Sequence, residues 1–341
     1  MARFLGYYWA PVDDDVARQV DLILATGANT VYVPGNALDR IPIAELRAHG
    51  VRLIADCSVF VGQELRQMFP DSVPIDAEGQ PFDRDGWYVP VCPNHPQVRA
   101  WRREEITRLL DGYGHHLCGL WLDFIRFPVR WEGATPDLRP LCFCRHCLNL
   151  FLGEQRGHYS NEETRRWAHA ILAERFDQWV NWKCSRIEDF VREVRSLMDS
   201  RGLATRLGIF SLPWRRDDLG GAIRVVAGQD LGRLASHVDT FSPMVYHQLC
   251  QQDVGWIAAV VRDAQAWSAR AVLPIVQAMD SPAPLTPQGL ADALAVALNT
   301  DTEGVMVFTL GAVEGSPGKT AAVRRSFLAD KTDLTSTEQM C

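Results

Sequence analysis

The stretch GLWLDFIRFP, residues 119–128, decides how the rest of the chain is read. Leu120, Trp121, Leu122, Phe124, Ile125 and Phe127 have the near-continuous apolar character of a parallel strand covered on both faces. Asp123 stands in the middle of this run and Arg126 near its end. A carboxylate taken out of water costs several kcal/mol unless it is paired or neutralised, so Asp123 needs a partner or a task.

Working outward, similar β-rich runs occur at 4–10, 30–34, 51–58, 206–212, 239–246, 271–278 and 304–310, which with 119–127 makes eight. Between them lie helical patterns at 14–27, 41–49, 95–113, 161–201, 219–236, 254–268, 286–299 and 317–329. The segment 286–299 shows the logic of a helix start, with Thr286 as N-cap, Pro287 at the first helical position, and Leu290, Leu294, Ala295 and Leu298 on an apolar face. Eight strands alternating with helices predict an α/β fold, a closed (β/α)8 TIM barrel over 1–328. An open doubly wound sheet would want a glycine-rich turn after its first strand, and YYWAP (7–11) stands there instead. Two connections are long, 59–94 after the third strand and 128–160 after the fourth, and both leave from the face where barrels keep their sites. The polar end, 329–341, reads as a flexible tail.

At 341 residues and 47% hydrophobic the chain can bury a large core. A formal charge of −7 argues against a general nucleic-acid partner, which requires a basic surface. No apolar run reaches membrane-spanning length and no cleavable leader is visible, so no membrane partner is expected and the expected location is cytoplasmic. Nine cysteines in a chain without a leader favour thiols or metal ligands over disulfides. Lysine occurs only at 183, 319 and 331, away from the strand ends, which disfavours Schiff-base chemistry. EGSPGKT (314–320) imitates a phosphate loop, but Val313 occupies the position of its first glycine.

The ends of the strands bring up Tyr8, Trp9, Asp56, Asp123, Arg126, Trp214, Tyr246, His247, Gln277, Asp280 and, just after the last strand, Glu314. Flat aromatics that pack on sugar rings, together with carboxylates for acid, base or nucleophile work, are the parts of a carbohydrate site. Plainer readings stand beside these. Asp123 could form a structural ion pair with Arg126, Asp56 could bond loop backbone, Asp280 could cap a turn before proline, and Glu314 could simply be solvated.

The phrases WYVPVCPNHPQVRAWRREEITRLLDGY (87–113), GLWLDFIRFP, CFCRHC (142–147) and FSPMVYH (241–247) resemble bacterial glycoside hydrolases of the (β/α)8 type, in the broad group of α-amylase and α-galactosidase relatives. The likeness spans roughly 1–328, and its most specific part is the D-[FY]-I-R-F-P turn. The resemblance implies glycosidic-bond hydrolysis of an oligosaccharide or glycoconjugate, with Asp123 as a catalytic carboxylate, commonly the nucleophile, and Arg126 orienting or ionising it. The chain departs from those patterns at the proton donor. The fifth strand, GIFSLPW, has no carboxylate, and the sixth, SPMVYHQ, offers only Tyr246 and His247. Asp280 is the first candidate donor, with Glu314 and Asp56 behind it.

Cys142, Cys144 and Cys147 have the spacing of zinc thiolates, with Cys92 or His146 as a fourth ligand. Free thiols packed under the loop are the alternative. A filled zinc site would be structural, and the glycosidase mechanism requires no cofactor. Two other functions fit the same strand ends: a metal-dependent sugar isomerase or epimerase using Asp56, Asp123, His247 and Asp280, and a sugar-binding barrel without catalysis.

Overall fold

The computed structural model describes residues 3–11, 15–83 and 86–332; the part of the expected tail from 333 to 341 lies outside them. Its strands are β1 (Phe4–Tyr8), β2 (Thr30–Pro34), β3 (Arg52–Ser58), β4 (Gly119–Asp123), β5 (Arg206–Ser211), β6 (Thr240–Val245), β7 in two pieces (Ala271–Val272 and Ile275–Gln277) and β8 (Gly304–Phe308). Each pairs in parallel with its neighbours, and β8 returns to β1 through Phe4↔Gly304 and Leu5↔Val305. The sheet is therefore a closed (β/α)8 barrel, which leaves no strand edge exposed. β7 is interrupted at Pro274, which has no N–H for the ladder; its carbonyl still accepts from the Met306 amide at 3.0 Å.

Side chains on a strand alternate, so Gly119, Trp121 and Asp123 share the inward side of β4. Trp121 fills the lumen. Its indole occupies the space that a Cβ on Gly119 or Gly208 would need, meets the edge of Tyr32 at 5.7 Å, and donates through Nε1 to Ser242 at 2.8 Å. Below it, an Arg206–Glu303 ion pair at 2.7 Å lies at the amino-terminal ends of the strands. Asp123 is one step above this plug, at the carboxyl mouth.

β4 stops at Asp123 rather than running to 127, because Phe124 takes a left-handed conformation (φ 49°) that turns the chain out of the ladder. The helix expected over 161–201 is broken at Arg175 into Asn161–Glu174 and Phe176–Asp199, the first opened by a Ser160/Glu163 capping box. The expected helix 219–236 shrinks to two single turns, Ala222–Val225 and Leu231–Leu234, separated by a segment that holds Gly228 at φ 71°. Thr286 caps Pro287–Asn299 by accepting from the Gly289 amide at 3.0 Å. The last helix, Pro317–Thr332, runs three residues further than the pattern suggested, into the expected tail. Among the described residues no helix is long and apolar enough to cross a membrane.

The two long connections hold short helices, Gln63–Met68 and Arg145–Leu152, and are bound to each other. The Phe143 amide donates to the Ile75 carbonyl at 2.7 Å, and the Val129 amide donates to the Tyr88 hydroxyl at 3.3 Å. They form one wall of the barrel mouth.

Candidate active site

A cavity of about 810 Å³ opens at the carboxyl mouth, a volume suited to a ligand larger than a single small molecule of solvent size. The inward residues at the strand tops form its floor: Tyr8, Ser58, Asp123, Phe210, Met244, Ile275 and Phe308. Trp87, Tyr88, Trp131, Glu132 and Tyr246 rise from the loops as walls. The Tyr246 and Phe308 rings stack at 5.3 Å, and Tyr8 meets Phe308 at 5.0 Å.

Asp123 is held at this floor by its own backbone turn. The left-handed Phe124 directs its amide onto Asp123 Oδ1 at 2.7 Å. Non-glycine residues adopt this conformation at a cost of order 1 kcal/mol, tolerated where the surroundings enforce it. Here Arg126, itself buried, lies over the Phe124 ring at 5.0 Å and donates to the Val129 carbonyl at 3.4 Å. Burial pushes the Asp123 carboxyl up to about 6, against the opposing pull of the Arg126 guanidinium and the Phe124 amide; the Glu132 charge adds to the rise.

Asp56 sits on neighbouring β3, one inward position below Ser58. It is 3% exposed, accepts the Tyr8 hydroxyl on Oδ2 at 2.9 Å, and has no partner for Oδ1. Burial, and then the Asp123 charge, raise it well above the usual carboxylate range. Burial and nearby carboxylates likewise keep Tyr8 and Tyr246 as neutral phenols.

Of the expected strand-end residues, Tyr8, Asp123, Arg126 and Tyr246 line the cavity, with Asp56 beneath it. The others are placed elsewhere. Asp280 pairs with the buried Lys319 ammonium at 2.7 Å and accepts from the Leu285 amide at 2.8 Å, so it caps a loop. Glu314 lies against Arg18 at 2.9 Å and Gln19 at 3.1 Å. Trp9 is packed in the core with its Nε1 on Gln19 at 2.6 Å. Trp214 and His247 are buried outside the cavity lining. Gln277 spends its amide on the backbone of Leu249, Met279 and Ser281, bracing the loops that carry cavity residues. The four groups suggested for a divalent ion, Asp56, Asp123, His247 and Asp280, do not converge among the described residues.

Glu132, Trp87 and Trp131 were not among the expected site residues. All three lie in long loops, where neither strand alternation nor helical period says which way a side chain faces. The juxtaposed aromatic and acid in VRWEG (129–133) was the available signal.

Beside the cavity wall, the sulfur atoms of Cys92, Cys142, Cys144 and Cys147 lie within 4.8 Å of one another, all buried. The Ile75 amide points at Cys142 Sγ at 3.4 Å, and Asn94 directs its backbone and side-chain N–H groups at Cys92 and Cys147 at 3.4 and 3.3 Å. Such N–H donors are the kind of outer contact that orients the ligands of a metal site. His146 turns away to Asp71 at 3.2 Å, so the fourth member of the set is Cys92 from the other long loop.

No known sequence family and no curated protein matches the chain. Solved structures do match it in shape. The glycoside hydrolase domain of PgaB (BpsB) from Bordetella bronchiseptica superposes with a TM-score of 0.69 at 15% identity, covering 92% of each chain. The chain has the barrel of these glycoside hydrolases. The β-galactosidases of Marinomonas ef1 (TM-score 0.68, 11% identity) and Halorubrum lacusprofundi (0.69, 13%) match over 97% of this chain. The chain spans only 59% and 58% of those two proteins. At such identities the likeness is one of fold, and the chemistry of this barrel has to be argued from the residues at its mouth.

Proposed function

We propose that this protein is a glycoside hydrolase acting on an oligosaccharide or glycoconjugate, with Asp123 as the carboxylate that attacks the anomeric carbon or activates water against it. The observation that carries this reading is the position of Asp123: an inward strand-top carboxyl, supported by Arg126 and the Phe124 amide, on the floor of an aromatic-walled cavity. Aromatic faces would seat the sugar ring, and a carboxyl pair would act on either side of the scissile bond. The glycoside-hydrolase neighbours support the same reading.

The cysteine set is proposed to hold a structural zinc ion that fixes the 59–94 and 128–160 loops to each other. With four thiolates filling a tetrahedral site, no position is open for substrate, and bond cleavage is left to side chains.

The decisive experiment measures product release by the wild-type protein and Asp123→Asn across a panel of oligosaccharides and aryl glycosides, with and without chelator. Hydrolysis lost in the variant and indifferent to chelator supports the proposal. Saturable sugar binding without product would instead favour a binding barrel, and turnover abolished by chelator and restored by a divalent ion would favour an isomerase.

A further inference from the structure

Resting on that reading, we infer that Glu132 is the second carboxyl of the pair, the group that protonates the leaving oxygen. A barrel hydrolase commonly draws its acid from another strand end, and this barrel supplies none. The inward residues near the tops of β5 to β8 are Phe210, Met244, Ile275 with Gln277, and Phe308, none of them an acid. Asp56 is sealed below the floor by Tyr8. The second carboxyl must therefore come from a loop, and among the described residues Glu132 is the one that joins Asp123 in lining the cavity.

The loop after β4 is built to present it. The Phe127 amide is tied to the Ala227 carbonyl at 2.8 Å, and the Val129 amide to the Tyr88 hydroxyl at 3.3 Å. Arg130 and Asp137 bridge at 3.5 Å, and the Asp137 amide donates to the Arg130 carbonyl at 2.8 Å. Trp131, 3% exposed, packs its ring 5.7 Å from Tyr246. With its neighbours anchored on both sides of the mouth, Glu132 is held over the opening. Glu132 lines the same cavity as Asp123 at the end of β4 and Tyr246 just beyond β6.

Position divides the work of the two carboxyls. Asp123 is fixed at the floor, where burial raises it to about 6 and the Arg126 guanidinium and the Phe124 amide work the other way, in favour of its anion. Glu132 is exposed, and its Oε2 accepts the Trp131 amide at 3.1 Å, leaving Oε1 to carry a proton. As the C1–O bond breaks, its electron pair stays with the glycosidic oxygen, which takes the Oε1 proton. Asp123 meanwhile bonds to C1 or removes a proton from the attacking water. If Asp123 bonds to C1, the Glu132 carboxylate then takes a proton from the water that cleaves the glycosyl ester.

The test compares wild type, Glu132→Gln, Glu132→Ala and Asp123→Asn on two substrates sharing the sugar that the panel identifies: its dinitrophenyl glycoside, whose leaving group departs without a proton, and its natural oligosaccharide. Glu132→Gln keeps an acceptor for the Trp131 amide and is expected to lose about 10²- to 10⁴-fold on the oligosaccharide, the usual worth of general acid catalysis. On the dinitrophenyl glycoside its kcat/KM should stay near wild type, because that constant reports only the steps up to departure of the leaving group. Asp123→Asn should lose both substrates. Equal loss of kcat/KM on both substrates in both Glu132 variants, with azide restoring turnover to a glycosyl azide of inverted configuration, would make Glu132 the nucleophile and overturn the assignment. Full activity of both variants on the oligosaccharide would remove Glu132 from the chemistry while leaving the hydrolase reading intact. A wild type that releases no product from any sugar would sink both.

Discussion

The Tyr8 hydroxyl donates to Oδ2 of Asp56 at 2.9 Å, while Oδ1 of the same buried carboxyl has no partner. Burial and the Asp123 charge raise Asp56 well above the usual range, which favours its neutral form. Asp56 is thus expected to act as a neutral prop for Tyr8, and Asp56→Asn, which keeps an oxygen for that hydroxyl, should leave the acid limb of kcat/KM in place. A limb displaced to lower pH would show that Asp56 carries charge during turnover.

Asp123 has a folded value of about 6 against about 3.9 in an unfolded chain. The folded protein therefore holds this proton more tightly, and stability falls as pH rises from about 4 to about 6, by roughly 3 kcal/mol in total. Asp123→Asn removes that loss. It should melt above wild type at pH 8 and match it near pH 4, while turnover is abolished. In wild type, kcat/KM should rise through about pH 6 as Asp123 ionises. Melting curves at the two pH values check the first expectation; a variant less stable than wild type at pH 8 would contradict it.

Trp87 is 72% exposed at the cavity lip, its ring 5.9 Å from Phe124 and 5.8 Å from Tyr88. An indole so exposed contributes little to the fold, whereas a sugar ring laid on it would gain about 1 kcal/mol. Trp87→Ala should raise KM for an oligosaccharide about fivefold with little change in kcat or Tm. Unchanged KM would mean that the substrate does not reach the lip.

For the cysteine set, elemental analysis of protein purified without chelator is expected to find one zinc per chain. Cys92→Ser should carry less metal and melt lower, because it unties one long loop from the other. Wild-type protein that is folded and free of metal would show that these are packed thiols.

The barrel was legible in the sequence because strand and helix periods are local properties. Runs such as 30–34 and 304–310, and the Thr286 cap, depend on neighbours a few residues away, and they lie close to where they were expected. Boundaries failed where tertiary geometry overrode the pattern. Ile125 and Phe127 are as apolar as any strand residue, yet the Phe124 turn puts them outside the sheet.

The site divides along the same line. From sequence alone came the placing of Asp123 among the strand-end groups, the companionship of Arg126, and a thiol set at 142, 144 and 147. Only the folded chain decided between Cys92 and His146, sent Asp280 to Lys319 and Glu314 to Arg18, and brought Glu132 to the mouth. A strand's alternation fixes where each side chain points within the strand itself. The direction of a loop residue depends on contacts made across the barrel, between parts of the chain far apart in sequence, and no local pattern records them.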